Sequence, residues 1–173
     1  MAQPEHKINK HAQPRITRVT LNVGVGKMRD DAGYLTAVRN DLRAISGQRP
    51  YERRARAAVA GFAMRAGSLV GLAVTLRGKR CADFVRRFVS ATLPRVRDFR
   101  GISPHSLDGH GNLSVGLSEQ LAFPEVHPEK TDVVFGVEVT LVTTARTDAE
   151  GLALFKRHGF PFTPEPASDL TGE

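Results

Sequence analysis

Residues Leu21 to Lys27 read LNVGVGK, a strand-like run that ends in two glycines and a lysine. Glycine-rich loops of this kind cradle phosphates, so nucleotide chemistry is the first possibility to test. The dinucleotide fingerprint needs a third glycine three residues after the second, and Arg29 holds that place. The phosphate loop of nucleotide hydrolases needs a glycine five residues before the Gly-Lys pair and a hydroxyl side chain after it. Those places hold Leu21 and Met28, so the magnesium ligand is missing. Both patterns fail where their chemistry is strictest. Gly24 and Gly26 are instead expected to form a bulge or tight turn at a strand end, letting another backbone approach closely.

Other reactive residues are equally isolated. No G-x-S-x-G elbow occurs. Cys81 has Lys79, Arg80 and Asp83 nearby, but it begins an apolar helical face and reads as a small buried residue. His105 and His110 flank a glycine turn without zinc spacing, and Asp98 and Asp108 sit where turn-forming carboxylates are common. The sequence therefore contains no catalytic constellation and implies no cofactor or metal.

Charge says more. The 173 residues carry 25 Lys plus Arg against 18 Asp plus Glu, a net of +7. Between Arg43 and Arg100 there are 14 basic and three acidic residues, and 13 of the 14 are arginine. Arginine forms forked hydrogen bonds with phosphate and stacks on bases, so this segment reads first as nucleic-acid binding. An aromatic content of 6% with no Trp argues against a stacking platform for single strands. No apolar run approaches the ~18 residues of a membrane span, the N-terminus lacks a signal-peptide core, and the single cysteine suits a reducing cytosol.

The elements that position these residues mix strands and helices. Val19, Leu21 and Val23 alternate with Arg18, Thr20 and Asn22; Leu72, Val74 and Leu76 alternate with Ala73, Thr75 and Arg77. Leu113, Val115 and Leu117, and then Val137, Val139 and Leu141, repeat the pattern. These are strands buried on one side. Shorter extended pieces are expected in 50–60 and 61–66. Leu35, Val38, Leu42 and Ile45 recur at helical steps between Asp30–Asp31 and Gly47. A second helix carries Phe84, Val85, Phe88, Val89 and Leu93 and is expected to stop at Pro94. A third begins at Thr147, with Glu150 at capping-box spacing, and runs to Gly159. The expected architecture is one α+β domain over 14–162, between a flexible basic arm (1–13) and a disordered acidic tail (163–173). Its mostly antiparallel sheet packs helices on one side. The other face would carry Arg18, Thr20, Asn22, Thr75 and Arg77, with no aromatic residue. Such a face suits a folded RNA. Ordinary half-exposed sheets carry the same residue types, so both readings stand at this point.

The blocks RVTLNVGVG, AISGQRP, RARAAVAGFAMRAG, VTLRGKR, LPRVRDFRGISPHSLDGHGNLSVGLSEQLAFPE and TARTDAEGLALFKRHGFPF decide between them. In order and spacing they resemble bacterial large-subunit ribosomal protein five, from about Pro14 to Phe162. The resemblance implies an α+β, non-enzymatic, cytoplasmic component of the ribosome. It implies binding to 5S rRNA beside 23S rRNA and other proteins of the central protuberance, and no membrane. Asn22, Gln48 and Thr75 match the family's 5S-recognising residues, with Arg18 and Arg77 on the same face. The loop carrying Arg65, Gly67, Ser68, Leu69 and Gly71 matches the one that approaches the P-site tRNA. The bridge to a small-subunit head protein is expected around Arg97, Asp98, Arg100, Asp108 and His110. Two departures stand out: Ser68 and Leu69 replace the family's aromatic or Met and Pro, and only the short arm precedes the first strand, where relatives carry a helix of about four to five turns. They motivate an alternative, a diverged paralogue acting as an RNA chaperone or assembly factor.

Overall fold

The computed structural model describes residues 13–163 except 63 and 132. Apart from Gln13 and Thr163, the expected basic arm and acidic tail lie outside the described residues. The elements run in the order β1 (Ile16–Gly24), α1 (Ala32–Ser46), β2 (Tyr51–Arg54), β3 (Leu69–Arg77), α2 (Gly78–Arg87), β4 (Leu113–Leu117), β5 (Val137–Thr143) and α3 (Asp148–Arg157). The strands form one antiparallel sheet in the order β2-β3-β1-β5-β4.

The alternation in the sequence becomes two rows of buried side chains across four strands. Val74, Leu21, Val139 and Val115 are paired neighbours in one row, and Leu76, Val19, Leu141 and Leu113 in the next. All are buried, and the buried faces of α1 (Leu35, Val38, Leu42, Ile45) and α2 (Cys81, Phe84, Val85) join them in one core. Cys81 is thus a packing residue, and burial pushes its thiol pKa up, away from reactivity.

Local signals set the helix ends. The Asp31 side chain accepts from the Tyr34 N–H at 3.0 Å, and Gly47, at φ 65°, closes the far end by donating to the Arg43 carbonyl at 2.8 Å. Thr147 accepts from the Glu150 N–H, while Glu150 Oε2 accepts from the Arg146 N–H at 3.0 Å. The second carboxylate bond of this cap thus falls one residue before Thr147.

Three expectations need correction. The second helix does not stop at Pro94. Its α-helical bonding gives way at Phe88 to a π turn (Phe88–Thr92), and Pro94 lies in the first turn of a 3-10 segment (Leu93–Arg95), where a missing N–H does no harm. Phe88 holds this irregular stretch in the core, stacked on Phe84 at 5.6 Å and set against Phe160 at 6.3 Å. Secondly, of the extended pieces expected in 50–66 only Tyr51–Arg54 is a strand; a 3-10 turn (Ala60–Phe62) and an isolated Val59–Met64 bridge follow. Thirdly, Gly24 and Gly26 admit no close backbone: a Cβ at either would meet nothing within 4 Å. The close approaches are elsewhere. A Cβ at Gly71 would sit 3.1 Å from the Val23 carbonyl oxygen, and one at Gly151 would sit 2.7 Å from both the Cα and the O of Gly111.

The Gly151 contact seats the 108–112 loop on α3. The Gly109 and Gly111 N–H groups donate to the two carboxylate oxygens of Asp148 at 3.1 and 2.9 Å. Alanine would ordinarily favour a helix interior over glycine by about 1 kcal/mol, but here its methyl would overlap backbone that cannot swing aside. Gly151→Ala is therefore expected to destabilise by about 1–3 kcal/mol, the range for overpacking a filled site. Urea unfolding of the two proteins measures this directly; equal or higher stability of the variant would show that the loop is not seated on the helix.

Candidate nucleic-acid interface

The sheet side opposite the helices follows from the same registers. Tyr51, Ala73, Asn22, Glu138 and Gly116 form one row across all five strands, and Thr75, Thr20, Thr140 and Ser114 form the next. Arg18 and Arg77 are paired beyond them, both exposed. Like charges placed opposite each other in a ladder repel, and an anion laid across the pair relieves that repulsion. Of the arginine-rich segment, only Arg53 and Arg77 stand on this face within the strands.

Asn22 has a defined orientation. Its Nδ2 donates to Glu138 Oε2 at 3.2 Å, and its Oδ1 lies over Gly71, 3.6 Å from where a Cβ would stand there. Asn22 thus holds its amino group toward β5 and presents its acceptor toward β3.

Gln48 reaches the same region from outside the sheet. The Ser46 hydroxyl accepts the Gln48 N–H at 3.1 Å, and the left-handed Gly47 turns the chain off α1. The pairing of β2 with β3 starts at Tyr51–Ala73, so Thr75 lies two residues past it. Gln48 fills that gap: with its amide oriented to suit both neighbours, Nε2 donates to the Thr75 carbonyl at 3.3 Å and Oε1 accepts from Arg80 Nη1 at 2.9 Å. Asn22, Gln48 and Thr75 are therefore brought together around β3, with Arg18, Arg77 and Arg80 at one end.

One feature of the face departs from expectation. It does carry an aromatic residue, Tyr51, which enters through β2 on the outward side. Tyr51, Glu138, Arg53 and Arg80 were not picked out from the sequence as site residues. The four-residue YERR strand is too short for its alternation to be read, and the partners of Glu138 and Arg80 are distant in sequence.

The loop at residues 21–31 is not built as a phosphate cradle. The amides of Val25, Met28 and Asp31 donate to the carbonyls of Val70, Val25 and Met28, and are thus spent on the chain's own backbone. The α1 N-terminus that follows, where an anion would be held, is already capped by the Asp31 carboxylate. Among the described residues no group of three or more His, Cys, Asp or Glu could hold a metal, and no helix is long and apolar enough to cross a membrane.

The remaining site residues lie apart from the face, except Gly71, which underlies it. Arg65, Gly67 and Ser68 form a turn in which Gly67, at φ 83°, donates to the Ala55 carbonyl, and Arg54 Nη1 donates to the Gly67 carbonyl. Leu69 and Gly71 belong to β3, and Gly71 is buried beneath Arg53 and Asn22, so the exposed part of the expected loop is Arg65 to Gly67. Arg97, Asp98 and Arg100 are exposed, with Asp98 at φ 52°. Asp108 and His110 are also exposed, on the loop held by Asp148.

Two family profiles match the chain in tandem, Ribosomal protein L5 over residues 9–65 and the C-terminus of the same ribosomal family over 69–162. The chain belongs to the ribosomal protein L5 family. Similar proteins include the large ribosomal subunit protein uL5 of Carboxydothermus hydrogenoformans, 49% identical over 155 residues that cover 90% of this chain and 87% of that one. The uL5 of Marinomonas sp. is 50% identical over 149 residues (86% and 83%), and the uL5c of Ostreococcus tauri 47% over 154 (89% and 84%). L5-family proteins are ribosomal and structural, and this one is not an enzyme.

Within this L5-family chain, the DGHGN loop is shaped by one carboxylate. Asp108 accepts from the His110 N–H at 2.9 Å, the Asn112 N–H at 3.0 Å and Asn112 Nδ2 at 2.7 Å. Partial burial pushes its pKa up, but the bonds from Asn112 and His110 outweigh this and hold it below the usual carboxylate value. Because the folded pKa is depressed, the turn's contribution is present above the unfolded value of about 3.9 and lost as pH falls through the folded one. Amide exchange compared with Asp108→Ala should show protection of His110 and Asn112 persisting down to about pH 4 and disappearing below it. Protection equal in both proteins at neutral pH would remove Asp108 from this role.

Proposed function

We propose that this protein binds 5S ribosomal RNA through the outward face of its sheet, in the central protuberance of the large subunit. As an L5-family member it is a structural constituent of the large ribosomal subunit with ribosomal RNA as partner, and its place is the cytoplasmic ribosome. The observation that carries the finer reading is the convergence of Asn22, Gln48 and Thr75 around β3, between an unrelieved Arg18–Arg77 pair and the arginine-bearing β2 edge. Polar side chains of fixed orientation read base edges and 2′-hydroxyls, and the arginines at the margin take phosphates. In this reading 23S rRNA and other central-protuberance proteins surround the bound 5S RNA. The exposed turn of Arg65, Gly67 and Ser68 faces the P-site tRNA. The surface of Arg97, Asp98, Arg100, Asp108 and His110 meets a protein of the small-subunit head.

Asn22→Ala, Gln48→Ala and Thr75→Ala should each weaken 5S RNA binding by about 1–3 kcal/mol, the scale of leaving a buried polar partner unpaired. Binding should fall steeply with salt, because phosphate contacts release counterions. Filter binding of the triple variant decides the site: affinity equal to the parent would overturn it. Sedimentation of a tagged copy decides the role. Stoichiometric presence in mature large subunits is expected, whereas a pool found only in precursors would mark an assembly factor.

A further inference from the structure

Among the described residues, Tyr51 is the one aromatic ring on the outward face of the sheet strands. It faces Ala73 across the β2–β3 ladder, and Ala73 in turn faces Asn22. Ala73 is fully buried although it stands on the outward side, while Tyr51 remains 46% exposed. The ring is held from its polar end. Arg53 Nη2 donates to the phenol oxygen at 3.3 Å, and the Arg53 guanidinium lies over the ring 5.9 Å from its centroid. Burial pushes the phenol pKa up, but the bonds from Arg53 and Thr75 and the charges of Arg53 and Arg77 outweigh it and bring it down.

Beyond the ring, the sheet edge opens into a cleft of about 1020 Å³ between α1 and β2, lined by Arg39, Arg43, Arg49, Tyr51 and Glu52 among others. Glu52 is occupied by Arg39 and Arg54, each at 2.7 Å. Arg43 and Arg49 are exposed and make no ion pair among the described residues. The cleft therefore offers two guanidinium groups beside an aromatic ring, next to side chains that can read base edges.

We propose that Tyr51 is a stacking platform for an unpaired nucleobase of the bound RNA, and that the strand carrying this base passes over the β2 edge with its phosphates against Arg43 and Arg49. The inference rests on the reading that the outward face binds 5S RNA, and extends it. Any base can stack on an exposed ring, and one already oriented by Arg53 loses little freedom on binding. Guanidinium groups take the following phosphates by forked hydrogen bonds. An RNA presenting only paired helix could not use the ring, so the platform selects a loop or bulge.

The chain has two tyrosines and no tryptophan, so Tyr34→Phe leaves Tyr51 as the sole strong fluorophore. In that background, saturation with 5S RNA should quench Tyr51 emission. Tyr51→Phe should bind within about twofold of the parent, while Tyr51→Leu should bind about 5- to 150-fold more weakly, the fold-change of losing one base–aromatic stack. Arg43→Gln with Arg49→Gln should flatten the salt dependence by about 1.4 in the log–log slope, for two single-stranded phosphates. If Tyr51→Leu binds like the parent and emission does not change, while Asn22→Ala is still weakened, the platform is overturned and the RNA face stands. Equal weakening by Phe and Leu with unchanged emission also overturns it, since only the phenol's bonds would then matter. A parent protein that does not prefer 5S RNA to a duplex of equal length removes the RNA reading and the platform together.

Discussion

The register of β1 is the constraint on which the rest depends. This strand is paired on both sides, with β3 and with β5, and its odd residues Val19, Leu21 and Val23 face the helices while Arg18, Thr20 and Asn22 face outward. A slip of one residue would drive an arginine and an asparagine into the core and expose three apolar side chains. The burial energy that holds the helices on the sheet therefore also fixes which polar groups reach the opposite surface. Core and outward face are two sides of one alternation.

On that surface the side chains are oriented by one another. Glu138 holds the Asn22 amide, Gln48 supplies the partner of the Thr75 carbonyl beyond the end of β2, and Arg53 holds Tyr51. A face with its polar groups already directed favours a partner of complementary shape over a general polyanion, because less freedom is lost when that partner binds. One carboxylate stands on the face as well, Glu138 on β5, across β1 from the arginine-bearing strands β2 and β3.

The long connections gain order without secondary structure by anchoring single polar groups. Asp148 takes two loop amides, Asp108 takes three donors within its own turn, and fully buried Gln120 donates to the Val133 carbonyl at 2.6 Å while accepting from the Phe135 N–H at 2.9 Å. Gln120 also reaches Asp41 on α1. Each is a polar group with its bonds satisfied, which is the condition for a loop to lie against a core.

The sequence by itself determined what local period and local chemistry can determine. Alternation marked four of the five strands and their buried sides. Helical spacing, Gly47 and Thr147 marked the helices and caps, and the Asp-Gly run around Asp108 marked a turn. Asn22 and Thr75 were legible as outward-facing for the same reason. What only the tertiary structure decided depends on which segments become neighbours. Gln48 joins the face because β2 ends short of Thr75, and Tyr51 joins it because a four-residue strand pairs at Ala73. A Cβ would overlap backbone at Gly101, Gly111 and Gly151, not at the Gly24–Gly26 pair that draws the eye. A chain pattern reports the side a residue faces, through a period of two or 3.6 residues. It carries no record of the strand, helix or loop that will stand across from it, because that is set by long-range pairing and by the space the core leaves.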